Sequence, residues 1–235
     1  MTDTKTIEII TKYSLVNLDL KGSGKGWEYY YASMPLCVVD SVFSIGVKYE
    51  GVTNTVSRLV KYYNIGNRAK RKHTIPDKKD QISTTKFLSL FGDNKAEFLS
   101  KEVFGNKQRT STTNGILKVE AVLRFLNVLK DFNIEYYQDI EKVINNNSFD
   151  FCIKNIPGQK SGISLKYFLM LSGSKDLIKP DRMVLRFLET ATGKKYSLDD
   201  CQTVLTAVTN EINKLGYDLT PQLLDNAIWN FQRVH

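Results

Sequence analysis

The chain has 235 residues, 42% apolar and 25% charged, enough to bury a core with ordinary globular composition. No apolar run reaches the ~18 residues of a membrane span, and the first residues lack the basic-then-apolar pattern of a secretory leader; a cytoplasmic protein, nucleoid-associated in a prokaryote, is expected. Lys and Arg number 33 against 25 Asp and Glu, a net charge of +8 that favours a polyanionic partner, while three scattered cysteines and two histidines exclude a CxxC motif and supply metal or histidine chemistry poorly.

Residues 6–20 fit a strand or a helix. With the glycine-rich joint from Lys21 to Gly26 they read as an arm, residues 1–26, packing on a terminal lobe. Trp27, Tyr29, Tyr30 and Tyr31 follow, suited to core packing or to stacking on an extruded base. Pro35 opens a helix through Val38, Val39, Val42 and Phe43. Further helices run from Gly51 to Tyr63 and from Asn94 to Phe104, the latter stopped by Gly105. Residues 67–81 form a polar loop with Arg68, Lys70, Arg71, Lys72, Lys78 and Lys79, either solvated or in contact with phosphate. From Ile116 to Lys130, Val119, Val122, Leu123, Leu126 and Leu129 share one helical stripe, with Glu120 and Arg124 paired on the other face. Tyr137 to Asn146 reads as a helix ended by Asn145, Asn146 and Asn147.

Ser197 and Asp200 form a capping box ahead of an apolar face at Cys201, Val204, Leu205, Val208 and Ile212, stopped by Gly216. Thr220 and Pro221 open the last helix. No sustained strand alternation occurs beyond the first twenty residues, so an all-α fold is expected. Asp40 and Asp225 fall in apolar helices and read as buried, hydrogen-bonded structural groups.

The segment 137–193 carries the chemistry. A helix, the turn Ile156-Pro157-Gly158-Gln159-Lys160-Ser161-Gly162 and an apolar helix through Leu165, Phe168 and Leu169 make a compact hairpin. Such a turn aims backbone N–H groups at the positive start of its second helix, a ready phosphate site. Lys160 adds charge. Arg109 and Lys118, around the turn before the 116–130 helix, are suited to phosphate or to solvent. Beyond the hairpin, Lys179-Pro180-Asp181-Arg182 opens another helix, where Asp181 reads as an N-cap whose anion the helix dipole favours.

Ile156-Pro157-Gly158, then Gly162, Gly173 and the Pro180-Asp181 pair, resemble the hairpin and acidic helix start of the helix-hairpin-helix (HhH-GPD) DNA glycosylases, endonuclease III among them. The separation of Gly158 and Asp181 is close to that family's. The stretches 34–44, 115–121 and 223–231 resemble its early helix, the turn before its hairpin and its closing helix, so the likeness covers roughly residues 30–233. The resemblance implies two helical lobes: a central one at about 44–172, with the hairpin at 149–172, and a second from the N-terminal part with 176–235.

It also implies base excision. An N-glycosidic bond breaks through positive charge on the sugar, which a carboxylate stabilises while orienting water; the resemblance assigns that role to Asp181. Gly158, Gln159, Lys160, Ser161 and Gly162, with Arg109 and Lys118, would hold the DNA backbone. Ile45, Gly46, Val47 and Tyr30 would fill the gap or line the pocket of the flipped base. Two departures matter: Lys160 replaces the family's second hairpin glycine, and Gly162 stands where bifunctional members carry a Schiff-base lysine. The reading is therefore a monofunctional glycosylase, without lyase activity or iron–sulfur cluster, acting as a monomer on double-stranded DNA with a lesion or modified base. No cofactor is implied, save a monovalent cation the hairpin allows. Oxidised, alkylated, mismatched and hypermodified bases all stay open. The alternative is a non-catalytic DNA binder built on the same hairpin; a small-molecule enzyme or a partner-binding helical module would lack salt-dependent DNA affinity.

Overall fold

A computed structural model describes residues 3–21, 30–66, 71–72 and 74–234. Residues 22–26, Trp27, Tyr29, Arg68, Lys70 and His73 lie outside the described residues, as do the side chains of Tyr30, Arg71 and Lys72. The chain is mostly helical and divides into two compact units, residues 29–173 and a discontinuous unit made of residues 1–28 with 174–235. Among the described residues no helix is long and apolar enough to cross a membrane.

In the discontinuous unit, the ambiguous first segment is helix α1 (Thr4–Asn17), started by Asp3, whose side chain accepts the Lys5 N–H. Its buried positions Ile7, Ile10, Thr11 and Ser14 follow the helical period, leaving Ile9 and Val16 exposed. It packs on α9 (Arg182–Thr192) and α10 (Leu198–Asn213), and α11 (Pro221–Val234) closes over both. Phe187, Leu188, Val204, Leu205, Val208, Leu224 and Ile228 fill the core between them. The capping box on α10 forms as read, Ser197 Oγ accepting the Asp200 N–H at 3.2 Å.

The unit 29–173 is built around α2 (Pro35–Phe43), every residue of which is buried. It packs on α3 (Tyr49–Tyr62), α6 (Lys118–Asp131) and α8 (Ile163–Leu171). Because α2 belongs here, the central lobe begins at residue 29 rather than near 44. A helix buried all round must satisfy its polar side chains internally; Asp40 accepts hydrogen bonds from Tyr31 Oη (2.8 Å) and Tyr49 Oη (3.4 Å). The structural reading of Asp40 and the core reading of Tyr31 follow from these bonds.

Around this centre stand α4 (Thr84–Ser89), α5 (Ala96–Phe98) running into a π-helical turn at Leu99–Val103, and α7 (Asn147–Lys154). Two short strands, β1 (Tyr30–Tyr31) and β2 (Arg71–Lys72), pair antiparallel with Tyr30 opposite Lys72. At two residues each they are too short to leave an alternating pattern. The helix expected over 137–146 is only a 3-10 turn, Tyr137–Lys142. Asn145 breaks it with φ +60°, and Asn146 then caps α7 by accepting the Ser148 and Phe149 N–H groups at 3.1 Å.

Candidate functional site

The hairpin lies in the unit 29–173. Helix α7 ends at Lys154, and Ile156 is buried beneath the turn. Gly158, at φ +85°, reverses the chain, and the Gln159 N–H closes on Ile156 O at 2.9 Å. Gly162, at φ +71°, makes the second reversal, its N–H on Gln159 O at 2.9 Å, and starts α8. Both positions sit in the left-handed region that favours glycine. Lys160 and Ser161 are exposed at the tip. Among the described residues the N–H groups of Lys160, Ser161, Ser164 and Leu165 have no intramolecular acceptor. The elbow thus presents unpaired donors and a cation at a helix start, which suits an anion.

Several expected binding residues have other work. Gln159 is only 3% exposed, its side chain accepts a hydrogen bond from Ser164 Oγ and its N–H is spent on Ile156 O, so it is removed from the expected phosphate contacts. A Cβ on Gly158 would stand 2.3 Å from Thr110 Cβ. Gly158 therefore serves close packing on the 109–117 turn, beyond any approach of DNA. That turn is held by Thr110 N–H on Ile116 O (2.9 Å) and Arg109 Nε on Gly115 O (2.7 Å). Arg109 is exposed there, beside the residue that supports the elbow.

Lys118 is a correction. It is 4% exposed, and its Nζ donates to Phe43 O (3.0 Å) and Ile45 O (2.7 Å). The ammonium caps the end of α2, where helical carbonyls lack partners, and so it does not belong among the phosphate contacts. Ile45 and Val47 are half-buried around exposed Gly46, which turns the chain at φ +71°. The backbone of Tyr30 lies in β1 and its side chain outside the described residues.

Two oxygens of the elbow, Ile156 O and Gln159 O, each accept one N–H and retain a second lone pair. Carbonyls of this kind would suit a monovalent cation. Among the described residues no three His, Cys, Asp or Glu side chains gather around a metal-sized point.

Asp181 lies in the discontinuous unit. It is the N-cap of α9, with extended backbone, and its Oδ1 accepts the Met183 N–H at 2.8 Å. Its Oδ2 is 4.0 Å from Lys179 Nζ, and the side chain is 24% exposed. The cap accounts for one oxygen, while the other lies at ion-pair distance from a lysine, on a side chain that is partly exposed.

A second carboxyl group stands beside it. Asp225 on α11 is 6% exposed, and its Oδ1 accepts the Lys179 N–H at 3.3 Å. Burial pushes this carboxyl well above the usual carboxylate range, and the Asp181 charge pushes the same way; the Lys179 charge and N–H act against both. Sequence patterning marks Asp225 as a buried polar group. Nothing in it places that group next to a loop 46 positions earlier.

Over residues 13–233 the chain matches the family described as a domain of unknown function (DUF8548), and it belongs to that family. No curated protein and no solved structure matches it.

Proposed function

We propose that this member of the DUF8548 family is a monofunctional DNA N-glycosylase with an HhH-GPD-like arrangement, acting as a monomer on duplex DNA that carries a lesion or modified base. The observation that carries the reading is the elbow at 156–162. Two left-handed glycines turn it, Lys160 is exposed at its tip, and its second helix begins there with N–H groups that lack an intramolecular acceptor. A phosphate oxygen is the group such a turn is built to accept. The half-exposed cap Asp181, at a spacing from Gly158 like that of the family it resembles, supports chemistry beyond binding.

In this reading the hairpin holds the backbone beside an extruded nucleotide. As the base leaves C1′, the sugar becomes cationic, and the Asp181 carboxylate stabilises it and orients a water. The water oxygen bonds to C1′, the C1′–N bond breaks, and the base departs with a proton, leaving an abasic site. Gly162 provides no amine to attack the sugar, so no covalent imine forms and the strand is not cut.

The test is single-turnover release of free base from duplexes carrying oxidised, alkylated, mismatched or hypermodified bases. The expected result is release from at least one duplex, with the strand intact until alkali is added. Salt-dependent binding with no release from any duplex would make the chain a binder instead.

A further inference from the structure

The loop that presents Asp181 is fastened almost residue by residue. Lys175 O accepts the Gln222 N–H (3.1 Å), and Asp176 O accepts from Gln202 Nε2 (2.8 Å). Ile178 N–H donates to Gln202 Oε1 (3.1 Å), and Lys179 N–H donates to Asp225 Oδ1 (3.3 Å). Lys179 O then accepts the Asp181 N–H (2.7 Å), and Asp181 caps α9. Buried Ile178 and Pro180 keep the segment down. The polar rungs, supplied by Gln202 on α10 and Asp225 on α11, additionally fix its rotation about that anchor.

A carboxyl group is a costly way to supply one buried acceptor, since an amide or hydroxyl would satisfy the Lys179 N–H without risk of a buried charge. The charged groups that face Asp225 are Lys179 and Asp181. Two neighbouring carboxyls resist ionising together. Burial and the Asp181 charge both favour the neutral form of Asp225, the more buried member of the pair.

We infer that Asp225 is a positioning residue: with Gln202 it holds the backbone of residues 176–179 and so sets where the Asp181 carboxylate stands. The inference rests on the reading of Asp181 as the reacting carboxylate.

The experiment compares wild type, Asp225→Asn and Asp225→Ala by hydrogen exchange at the Lys179 amide, duplex affinity and single-turnover base release. Asn keeps a carbonyl oxygen where Oδ1 stands, and is expected to hold amide protection and release within about threefold of wild type. Ala removes the acceptor; the amide is expected to exchange at least roughly tenfold faster, and release to slow about a hundredfold with affinity unchanged, as expected for misplacement by roughly 1 Å. Should the Ala variant not fold, Gln202→Ala, which removes the adjoining rungs, is expected to slow release about tenfold at wild-type affinity. A Lys179 amide that stays protected in Asp225→Ala, or that loses protection with release unchanged, overturns the inference. A wild type that releases no base from any duplex overturns the reading of Asp181 and the positioning role with it, while the Lys179 amide still shows whether the clamp exists.

Discussion

The two units share the chain's charge unequally. Residues 29–173 hold 21 Lys and Arg against 13 Asp and Glu, so they carry the whole net charge of +8, whereas residues 1–28 with 174–235 hold 12 of each and are neutral. The basic unit contains the elbow with its unpaired N–H groups; the neutral one contains Asp181 and Asp225. A positive field attracts a phosphate backbone over a range set by salt. A carboxylate needed beside a developing sugar cation repels the same phosphates. Under the proposed function the basic unit would meet the phosphates and the neutral unit would carry the reacting carboxylate, and that division can be attacked experimentally from either side.

The largest expected effect on the basic side is structural. Gly158→Ala meets both a left-handed backbone and Thr110 Cβ at 2.3 Å, and the two together are expected to destabilise the protein by about 3 kcal/mol in denaturant unfolding. Adding Thr110→Gly should recover roughly half, the overlap part of the cost. Full stability in Gly158→Ala would mean that the elbow does not rest on the 109–117 turn. Next comes Lys118→Ala, which strips the charge-assisted partner from Phe43 O and Ile45 O; a loss of about 2 kcal/mol is expected, with the salt dependence of DNA binding unchanged. A fallen salt slope at full stability would return Lys118 to the DNA-contacting set.

A smaller and more diagnostic effect separates the units directly. Lys160→Ala should lower the slope of log affinity against log salt by about 1, equally for every duplex sequence. Lys195→Ala, an exposed lysine of the neutral unit, should leave the slope unchanged. Equal losses from both would dissolve the comparison. The gentlest probe is pH. The Asp225 carboxyl is raised on folding above its ordinary value of 3.8, so its contribution to stability is fully present below that pH and is lost as pH rises through the folded value. Asp225→Asn does not titrate, and its stability relative to wild type should climb with pH above 3.8. A flat difference would mean that Asp225 is not held as the neutral acid.

Local signals in the sequence were good guides to elements and poor guides to neighbours. The Ser197 box, Pro35, Pro221 and the Asp181 cap each start a helix as read, because caps and proline act through bonds within a few residues. Residues 6–20 stayed ambiguous because their polar positions Thr6, Thr11 and Ser14 are buried in the helix while Ile9 is exposed, blurring the period. Lys118 looked like a surface cation beside a basic turn; its burial depends on where the end of α2 lies, 75 positions earlier. The ladder from Gln202 and Asp225 to residues 176–179 is likewise a tertiary fact, and residue spacing carries no trace of it.

The most direct measurement sets binding against chemistry in one substitution. Asn serves as well as Asp at an N-cap, so Asp181→Asn keeps the Met183 bond that a purely structural role requires. On a duplex that the wild type processes, the expected result is affinity within about twofold and release slowed at least about a hundredfold. Release at the wild-type rate would leave Asp181 as a helix cap alone and contradict the division of labour proposed for the two units.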